Sequence, residues 1–570
     1  SGSDMLNPAL AAGGWLDEDG WPLAIPPGKV AVGTIWAWTG SAEDPALAQS
    51  RAGTYVLRHE GEGKLSLGGD VEILSQRPGE IVFRNLSGGT MRLDITATDP
   101  NHDGNHIRDI TIVRQEYQAL FDMGAIFNPD WLALIEDARV LRFKDWMKTD
   151  WATSSDLAAQ ADPANPSYMA HGAPVEIMVA LANQVGADPW FTMPAGASEA
   201  YIRDFATYVR DHLDPGLKVH VEYSNEMWNW GYGQTSWLLE QAGTAWATTD
   251  AARWLDYQVM LAARSALIWD EVFGAQAPAR LDKVLGTQAG YFWLTERLLT
   301  APLWREKDPE GYVAPSDVFD SLAIATYLGG ATLSDAQMRA DLLAQVRADP
   351  VAAAAWLTGK LMDPDYKQSV PQMVTWWQGN RAIADRYGLD LVSYEGGQHI
   401  LHGWLVQGMS EAEQALLTGF LSDYMRSPEI ADLYAASWAE WARLSDGPFM
   451  QFVEIDQPSK WGAWGLYTSL GDHSPRSDLL EHLNATQASW FGTGGGPQYQ
   501  QGAIRFAGEG GEALLGTDRD DFLIGGRGND RFTPGRGQDA IAGEGGRDIL
   551  LLTGTPTDYT ATRDGDMVRI

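Results

Sequence analysis

Three hydrophobic patterns follow one another along the chain. Between about Thr54 and Arg114, the stretches GTYVLRHEGEGKLSLGG, GEIVFRNLSGGTMRLDITATD and HIRDITIVRQE alternate apolar and polar residues between Gly-rich turns. That period predicts short strands and a small β-sandwich over 54–115. Asp99, Asn101, Asp103 and Gly104 imitate the opening of an EF-hand loop, but position twelve is Ile110 and a strand precedes it, so the segment reads as a hairpin loop.

From about Phe127 to Phe491 short apolar runs alternate with helical periodicity. In ASEAYIRDFATYVRDHLDPG, the residues Tyr201, Ile202, Phe205, Tyr208, Val209 and Leu213 fall on one helical face, and Pro215-Gly216 ends it. The runs ARVLRFKDW, DPWFTMP, LKVHVEYSNE, DKVLGTQAGY, SLAIATYLGG, LDLVSYEGG and YAASWAEWA predict strands between such helices. The fold class expected is therefore α/β, with a (β/α)8 TIM barrel over 127–491. Only seven strands can be counted. The first is expected before Ala138, in VGTIWAW (32–38) or outside the chain, which makes 1–53 a segment contributing to the barrel.

After a linker over 492–515 the period changes to nine. GTDRDDFLI, GGRGNDRFT, PGRGQDAIA and GEGGRDILL follow without a gap from Gly516. Asp521, Asp530, Asp539 and Asp548 recur at position six, and Leu523, Phe532, Ile541 and Leu550 at position eight. This is the pattern of a parallel β-roll over 516–570, with glycines in the turns and the apolar residue inside. Aspartates facing each other on successive turns supply the oxygen ligands that suit Ca²⁺.

Composition narrows the function. A chain of 570 residues predicts two to four domains. A formal charge of −35 argues against a nucleic-acid partner and is compatible with calcium sites. There is no cysteine, so neither disulfides nor thiolate metal sites are available. No apolar run approaches the roughly 18 residues of a membrane span, and SGSDMLNP holds no signal-peptide core. The 25 tryptophans exceed what packing alone requires, and indole faces are natural platforms for sugar rings.

Hydrolysis of a glycosidic bond needs two carboxyl groups facing each other across it, and a barrel presents them at the C-terminal ends of different strands. In LKVHVEYSNEMWNW, Val219, Val221 and Tyr223 share one side, leaving Glu226 on the other at the strand's end. In LDLVSYEGG, Glu395 closes an apolar strand, and Gly396-Gly397 allow a turn directly after it. Glu222, on the same strand as Glu226, is expected deeper in the barrel in a buried pair with Arg or His.

An Asn-Glu at the end of one strand and a Glu at the end of a later one resemble the clan A glycoside hydrolases, which are retaining (β/α)8 enzymes. With ARVLRFKDW as strand two, Glu226 ends strand four and Glu395 strand seven, as in that clan. The resemblance implies Glu226 as acid/base and Glu395 as nucleophile. It also implies Asn225 on the substrate 2-hydroxyl, Arg142 beside the nucleophile holding it ionised, and Tyr327 hydrogen-bonded to the nucleophile. Trp438 or Trp441, on strand eight, matches the sugar-stacking tryptophan, and Trp228 is a further substrate-contact candidate. Strand three departs from the clan, since DPWFTMPAG offers no His.

The nonapeptides resemble RTX, or haemolysin-type, calcium-binding repeats. That resemblance implies structural Ca²⁺ on Asp521, Asp530, Asp539 and Asp548, export by type I secretion machinery, and a secreted, extracellular protein. The expected function is hydrolysis of a β-linked polysaccharide by double displacement, with no cofactor for catalysis. The competing reading is a calcium-dependent carbohydrate-binding adhesin without catalysis, which would have no need of two opposed carboxylates. A third reading, an RTX metalloprotease, is disfavoured because no H-E-x-x-H occurs.

Overall fold

The computed structural model describes residues 3–4, 8–37, 45–151, 162–169, 171–403, 406–487, 495–564 and 567–570. Two four-stranded sheets occupy the N-terminal part. One runs β1 (Ser3–Asp4), β2 (Val32–Trp36), β7 (Met91–Thr98), β4 (Gly63–Gly69). The other runs β5 (Val71–Arg77), β6 (Glu80–Asn85), β3 (Gly53–Glu60), β8 (Arg108–Arg114). On β7, Met91, Leu93 and Ile95 are buried while Arg92 and Thr96 are exposed, the period of two that the sequence carries. Met91 and Leu93 pack with Leu57, Ile81 and Phe83.

Two expectations change here. VGTIWAW does not enter the barrel: β2 pairs antiparallel with β7, Thr34 opposite Leu93, and Trp38 lies outside the described residues. The loop at 99–104 is not a hairpin, because it joins β7 to β8 in the other sheet. The Asp99 carboxylate organises it by accepting from the Asp103 and Gly104 N–H groups at 3.0 and 3.2 Å.

Six parallel strands follow in chain order and form a nearly closed sheet: β9 (Val140–Arg142), β10 (Asp188–Met193), β11 (Val219–Tyr223), β12 (Leu281–Gly286), β13 (Ser321–Leu328) and β14 (Asp390–Gln398). Every residue of β10 and β11 is buried, as expected of strands covered on both faces. Helices cover the outside. The helix Glu199–His212 buries Tyr201, Ile202, Phe205, Ala206 and Val209, and its Ser198 cap accepts from Tyr201 N at 3.1 Å.

The seventh run is not a strand. YAASWAEWA lies inside the helix Pro428–Leu444, where Ile430, Leu433, Tyr434, Ser437 and Trp441 face inward at helical spacing. Its alanines favour that state. The place beside β14 is taken by residues 448–453, which contribute the bond from Phe452 N to Gly396 O at 3.1 Å. Between Val140–Arg142 and this segment's Met450, Gln451 and Phe452 lies a cavity of about 750 Å³ that reaches Glu395.

The C-terminal region forms two three-stranded parallel sheets. β15 (Ile504–Phe506), β17 (Phe522–Ile524) and β19 (Ala540–Ala542) make one, and β16 (Ala513–Leu515), β18 (Arg531–Thr533) and β20 (Ile549–Leu550) the other. Alternate nonapeptides therefore pair, and Leu514, Leu523 and Phe532 fill the space between the sheets. The pairing starts before Gly516, inside the expected linker. AGEGGEALL (507–515) keeps the glycines and Leu514 but has Glu512 at position six, which hides it from an aspartate count. A short hairpin, β21 (Thr562–Asp564) with β22 (Met567–Arg569), ends the chain. Among the described residues no helix is long and apolar enough to cross a membrane.

The segment 495–501 that leads into the stack docks on the N-terminal ends of the barrel strands. Gly495 N donates to Asp188 Oδ2 at 3.0 Å, Gly496 N to Gly186 O at 2.8 Å, and Gln501 Nε2 to Asp214 Oδ2 at 2.8 Å. Among the described residues, the stack leaves the C-terminal ends free.

Candidate active site

Arg142, at the C-terminal end of β9, organises this free end. Its Nη1 donates to Glu395 Oε1 at 2.7 Å, while Nη2 donates to Glu222 Oε2 at 2.8 Å and to Asn225 Oδ1 at 2.9 Å. One guanidinium thus serves two buried carboxylates, and Trp190 Nε1 adds a bond to Glu222 Oε2 at 3.0 Å. Glu222 is the buried Arg partner the sequence suggests. Its Oε1 is buried without a hydrogen-bond partner, facing Gly286, where any Cβ would stand 2.7 Å away.

Glu395 comes from β14, and its second oxygen accepts from the Tyr327 hydroxyl of β13 at 2.8 Å. The chain does not turn after it. β14 runs on to Gln398, and the glycines serve close approach: a Cβ at Gly396 would collide with Thr326 Oγ1, one at Gly397 with the Tyr434 hydroxyl. Burial pushes the Glu395 carboxyl up and the Glu226 charge adds to this, while Arg142, Lys144 and Tyr327 pull it down. Lys144 is held between Asp145 at 3.0 Å and Asp150 at 2.9 Å, and those carboxylates with Glu395 raise its pKa against the cost of burial. Asp150 also accepts from Asn225 Nδ2 at 2.7 Å.

Glu226 does not arrive by strand alternation. β11 stops at Tyr223, and Glu226 lies in the following turn at φ 39°, a left-handed conformation uncommon for a non-glycine residue. It is half-buried, with Oε1 accepting from the Tyr394 hydroxyl at 2.8 Å and Oε2 from Asn229 Nδ2 at 2.9 Å. The two glutamates thus face one another's charge, one from β14 and one from the turn after β11, each held by two donors.

The aromatic candidates are mostly elsewhere. Trp441 belongs to the helix Pro428–Leu444, fully buried, with its Nε1 donating to Pro448 O at 2.9 Å and its ring edge-on to Trp377 at 5.5 Å. Trp438 sits on the same helix, half-buried, and lines the 750 Å³ cavity. Trp228 is buried, 6.1 Å from the Tyr394 ring. Trp464, half-buried, lies beside Tyr327, edge-on to it at 5.8 Å, to His399 at 5.2 Å and to Phe452 at 5.5 Å. Sequence reasoning passed over Trp464, Tyr394 and Asn229, and it offered Asp145 and Asp150 as partners of Arg142 where the structure pairs them with Lys144. Only the glycines flanking Ala463-Trp464 signalled that ring.

The four repeat aspartates stack at two-repeat spacing, so those on successive repeats do not face each other. Asp539 Oδ1 accepts from Asp521 N at 3.0 Å, and Asp548 Oδ1 from Asp530 N at 2.9 Å, each across 18 residues. Asp521 Oδ2 accepts from Thr517 N at 2.6 Å and Asp530 Oδ2 from Gly526 N at 2.9 Å. Burial pushes the Asp539 carboxyl up, and the Asp521 and Asp520 charges add to it. Asp539 and Asp521 feel each other's charge, the oxygen chemistry a hard cation takes, but among the described repeat residues no three such ligand atoms come within 4.8 Å of one another. Elsewhere among the described residues, His473, Asp478 and Glu481 bring one ligand atom each within 4.8 Å of one another at the surface.

No protein-family model matches the chain, and no curated protein matches it. Among solved structures, it is similar to a Bifidobacterium dentium β-glucuronidase complexed with coumarin-3-O-glucuronide, at 12% identity and a TM-score of 0.25, covering 77% of this chain and 61% of that one. It is also similar to an agarase, at 9% identity and a TM-score of 0.24, covering 74% and 54%. The chain thus spans between half and two thirds of the length of these structures. Superposition this loose transfers neither a residue role nor an activity.

Proposed function

We propose that the protein is a retaining glycoside hydrolase in which Glu395 is the nucleophile and Glu226 the acid/base. The observation that carries this reading is the pair itself: one carboxylate on β14 and one in the turn after β11, at the C-terminal end of a parallel sheet, with Arg142 and Tyr327 on the first and Tyr394 and Asn229 on the second. Glu395 attacks the anomeric carbon, the bond to the leaving oxygen breaks, and Glu226 gives that oxygen its proton. Glu226 then takes a proton from the water that displaces Glu395. Asn225, fixed between Arg142 and Asp150, is the candidate donor to a sugar hydroxyl. In this reading 448–453 serves as the last strand of a (β/α)8-type barrel, adding a seventh to the six parallel strands.

The aspartates of the C-terminal stack are proposed to hold structural Ca²⁺ in a β-roll of the RTX kind, in a protein exported by type I machinery and acting outside the cell on a β-linked polysaccharide. Circular dichroism tests the roll: chelator lowers the β signal and added Ca²⁺ restores it. No gain on adding calcium overturns the calcium reading and leaves the barrel chemistry standing.

The catalytic reading is tested by azide and stereochemistry. On a panel of 4-nitrophenyl and 2,4-dinitrophenyl β-glycosides, azide should rescue Glu226→Ala and give the β-glycosyl azide, whereas with Glu395→Ala it should give the α-anomer. NMR of the first hydrolysis product should show retained configuration, with the carboxyl groups about 5–5.5 Å apart. Inversion would remove the roles.

A further inference from the structure

One irregularity in the sheet places a residue between the two glutamates. β13 and β14 pair in regular parallel register from Ser321–Asp390 to Ile324–Ser393, and then Ala325 pairs with Glu395. Tyr394 is skipped. It is the extra residue of a β-bulge, a feature rare in parallel pairs and frequent where a strand must re-aim a side chain. Strict alternation would send Tyr394 and Glu395 to opposite faces. With the bulge, both reach the site. The Tyr394 hydroxyl meets Glu226 at 2.8 Å, its ring lies 5.0 Å from the Arg142 guanidinium, and Glu395 next to it meets Arg142 at 2.7 Å. Ser393 Oγ closes the bulge on Glu395 O at 3.0 Å, and Thr326 Oγ1 reaches the same carbonyl at 3.3 Å.

We infer that Tyr394 is a positioning residue for Glu226, tying the geometry and protonation of the acid/base to the strand that carries the nucleophile. This rests on the hydrolase reading above. The groups facing Glu226 are Tyr394 and Glu395 from β14, Tyr327 from β13, and Asn229 and Tyr232 from its own loop. Of the three phenols, Tyr394 has its hydrogen bond on Glu226, while Tyr327 spends its own on Glu395. Burial and the charges of Glu226 and Glu395 keep the Tyr394 phenol protonated, so it donates throughout the working pH range. A fixed donor favours the ionised carboxylate and holds Oε1, while Oε2, which accepts from Asn229, keeps a second lone pair for the proton exchanged with the leaving group.

The test is Tyr394→Phe, read on 4-nitrophenyl and 2,4-dinitrophenyl β-glycosides. The variant should lose about 10- to 100-fold in kcat/KM on the poorer leaving group and about threefold or less on the better one, the scale of one hydrogen bond to a charged group. The basic limb of its kcat/KM profile should move to higher pH. Incorporating 3,5-difluorotyrosine at 394 keeps the ring and strengthens the donor, so it should move that limb the other way even if the Phe variant folds poorly. Equal losses on both leaving groups with an unmoved limb would mean a structural role and overturn the inference. If the wild-type protein cleaves no glycoside while a ¹³C label on the Tyr394 ring still senses Glu226→Gln, the hydrolase reading fails and the positioning role with it. If glycosides are cleaved and neither Tyr394 variant moves the limb, only the Tyr394 inference falls.

Discussion

The two ends of the parallel sheet both bury charge, and they treat it differently. At the N-terminal end each charge has a fixed partner. His220 Nδ1 meets Asp282 Oδ2 at 2.7 Å, Ser321 Oγ donates to Asp282 Oδ1 at 2.6 Å, and Asp188 accepts from the Lys218 and Gly495 N–H groups at 2.8 and 3.0 Å. At the C-terminal end one arginine is divided between two carboxylates, Glu222 keeps an unpartnered oxygen, and Glu226 occupies a left-handed turn. Buried charge with complete partners locks a structure. Buried charge with shared partners can change its protonation during a reaction without stranding a counter-ion: if Glu395 becomes a neutral ester, Arg142 still has Glu222.

The comparison breaks most easily on activity. Glu395→Gln should lose at least about 10⁵-fold in kcat on every leaving group, whereas Glu226→Gln should lose about 10²–10⁴-fold on poor leaving groups and far less on dinitrophenolate. Asp282→Asn, at the other end, should leave kcat unchanged. A Glu395→Gln enzyme with near-normal turnover, or an Asp282→Asn enzyme without any, would erase the division. Stability sharpens it. Arg142→Met strands Glu222 and Glu395 and should cost about 3–5 kcal/mol in urea unfolding, and adding Glu222→Gln should return part of that loss. Strict additivity of the two changes would show that Glu222 and Arg142 are not coupled.

Sequence disclosed these regions unequally. The six strands were legible because buried parallel strands are continuous apolar runs, and Glu226 and Glu395 stood out as carboxylates closing or following two of them, whereas Arg142 and Tyr327 came from the resemblance to clan A. Strand eight misled because YAASWAEWA satisfies a strand's length and a helix's spacing at once, and alanine content decides for the helix. Tyr394 could not be found, because a bulge breaks the alternation from which side-chain direction is read. Trp464 was hidden for a related reason: it lies in an irregular segment, 448–467, that follows no period. The repeats from Gly516 onward were legible, but the turn 507–515 was not, because Glu512 stands where the others have aspartate, and neither was the pairing of alternate turns, since a nine-residue period does not say which turns are neighbours.

The smallest expected effect separates two aspartates within the N-terminal end itself. Burial pushes Asp188 from 3.8 up to about 6, against the pull of His220 and two backbone N–H groups. Burial opposes ionisation of Asp282 too, but the His220 bond and charge outweigh it and hold that carboxyl below its usual value. The signs of linkage are therefore opposite. Between about pH 4 and 6 the folded protein binds a proton at Asp188 that the unfolded chain has released, so stability falls as pH rises through this window, by on the order of 2 kcal/mol. Asp282 contributes stability above about pH 4, and that contribution is lost as pH falls further. Thermal midpoints from pH 3 to 7 should show the wild-type slope between 4 and 6 flattened in Asp188→Asn, whatever that variant's absolute stability. In Asp282→Asn the same slope should persist, and the fall below pH 4 should shrink. An unchanged slope in Asp188→Asn would place the titrating group elsewhere and remove Asp188 from the contact that joins the barrel to the C-terminal stack.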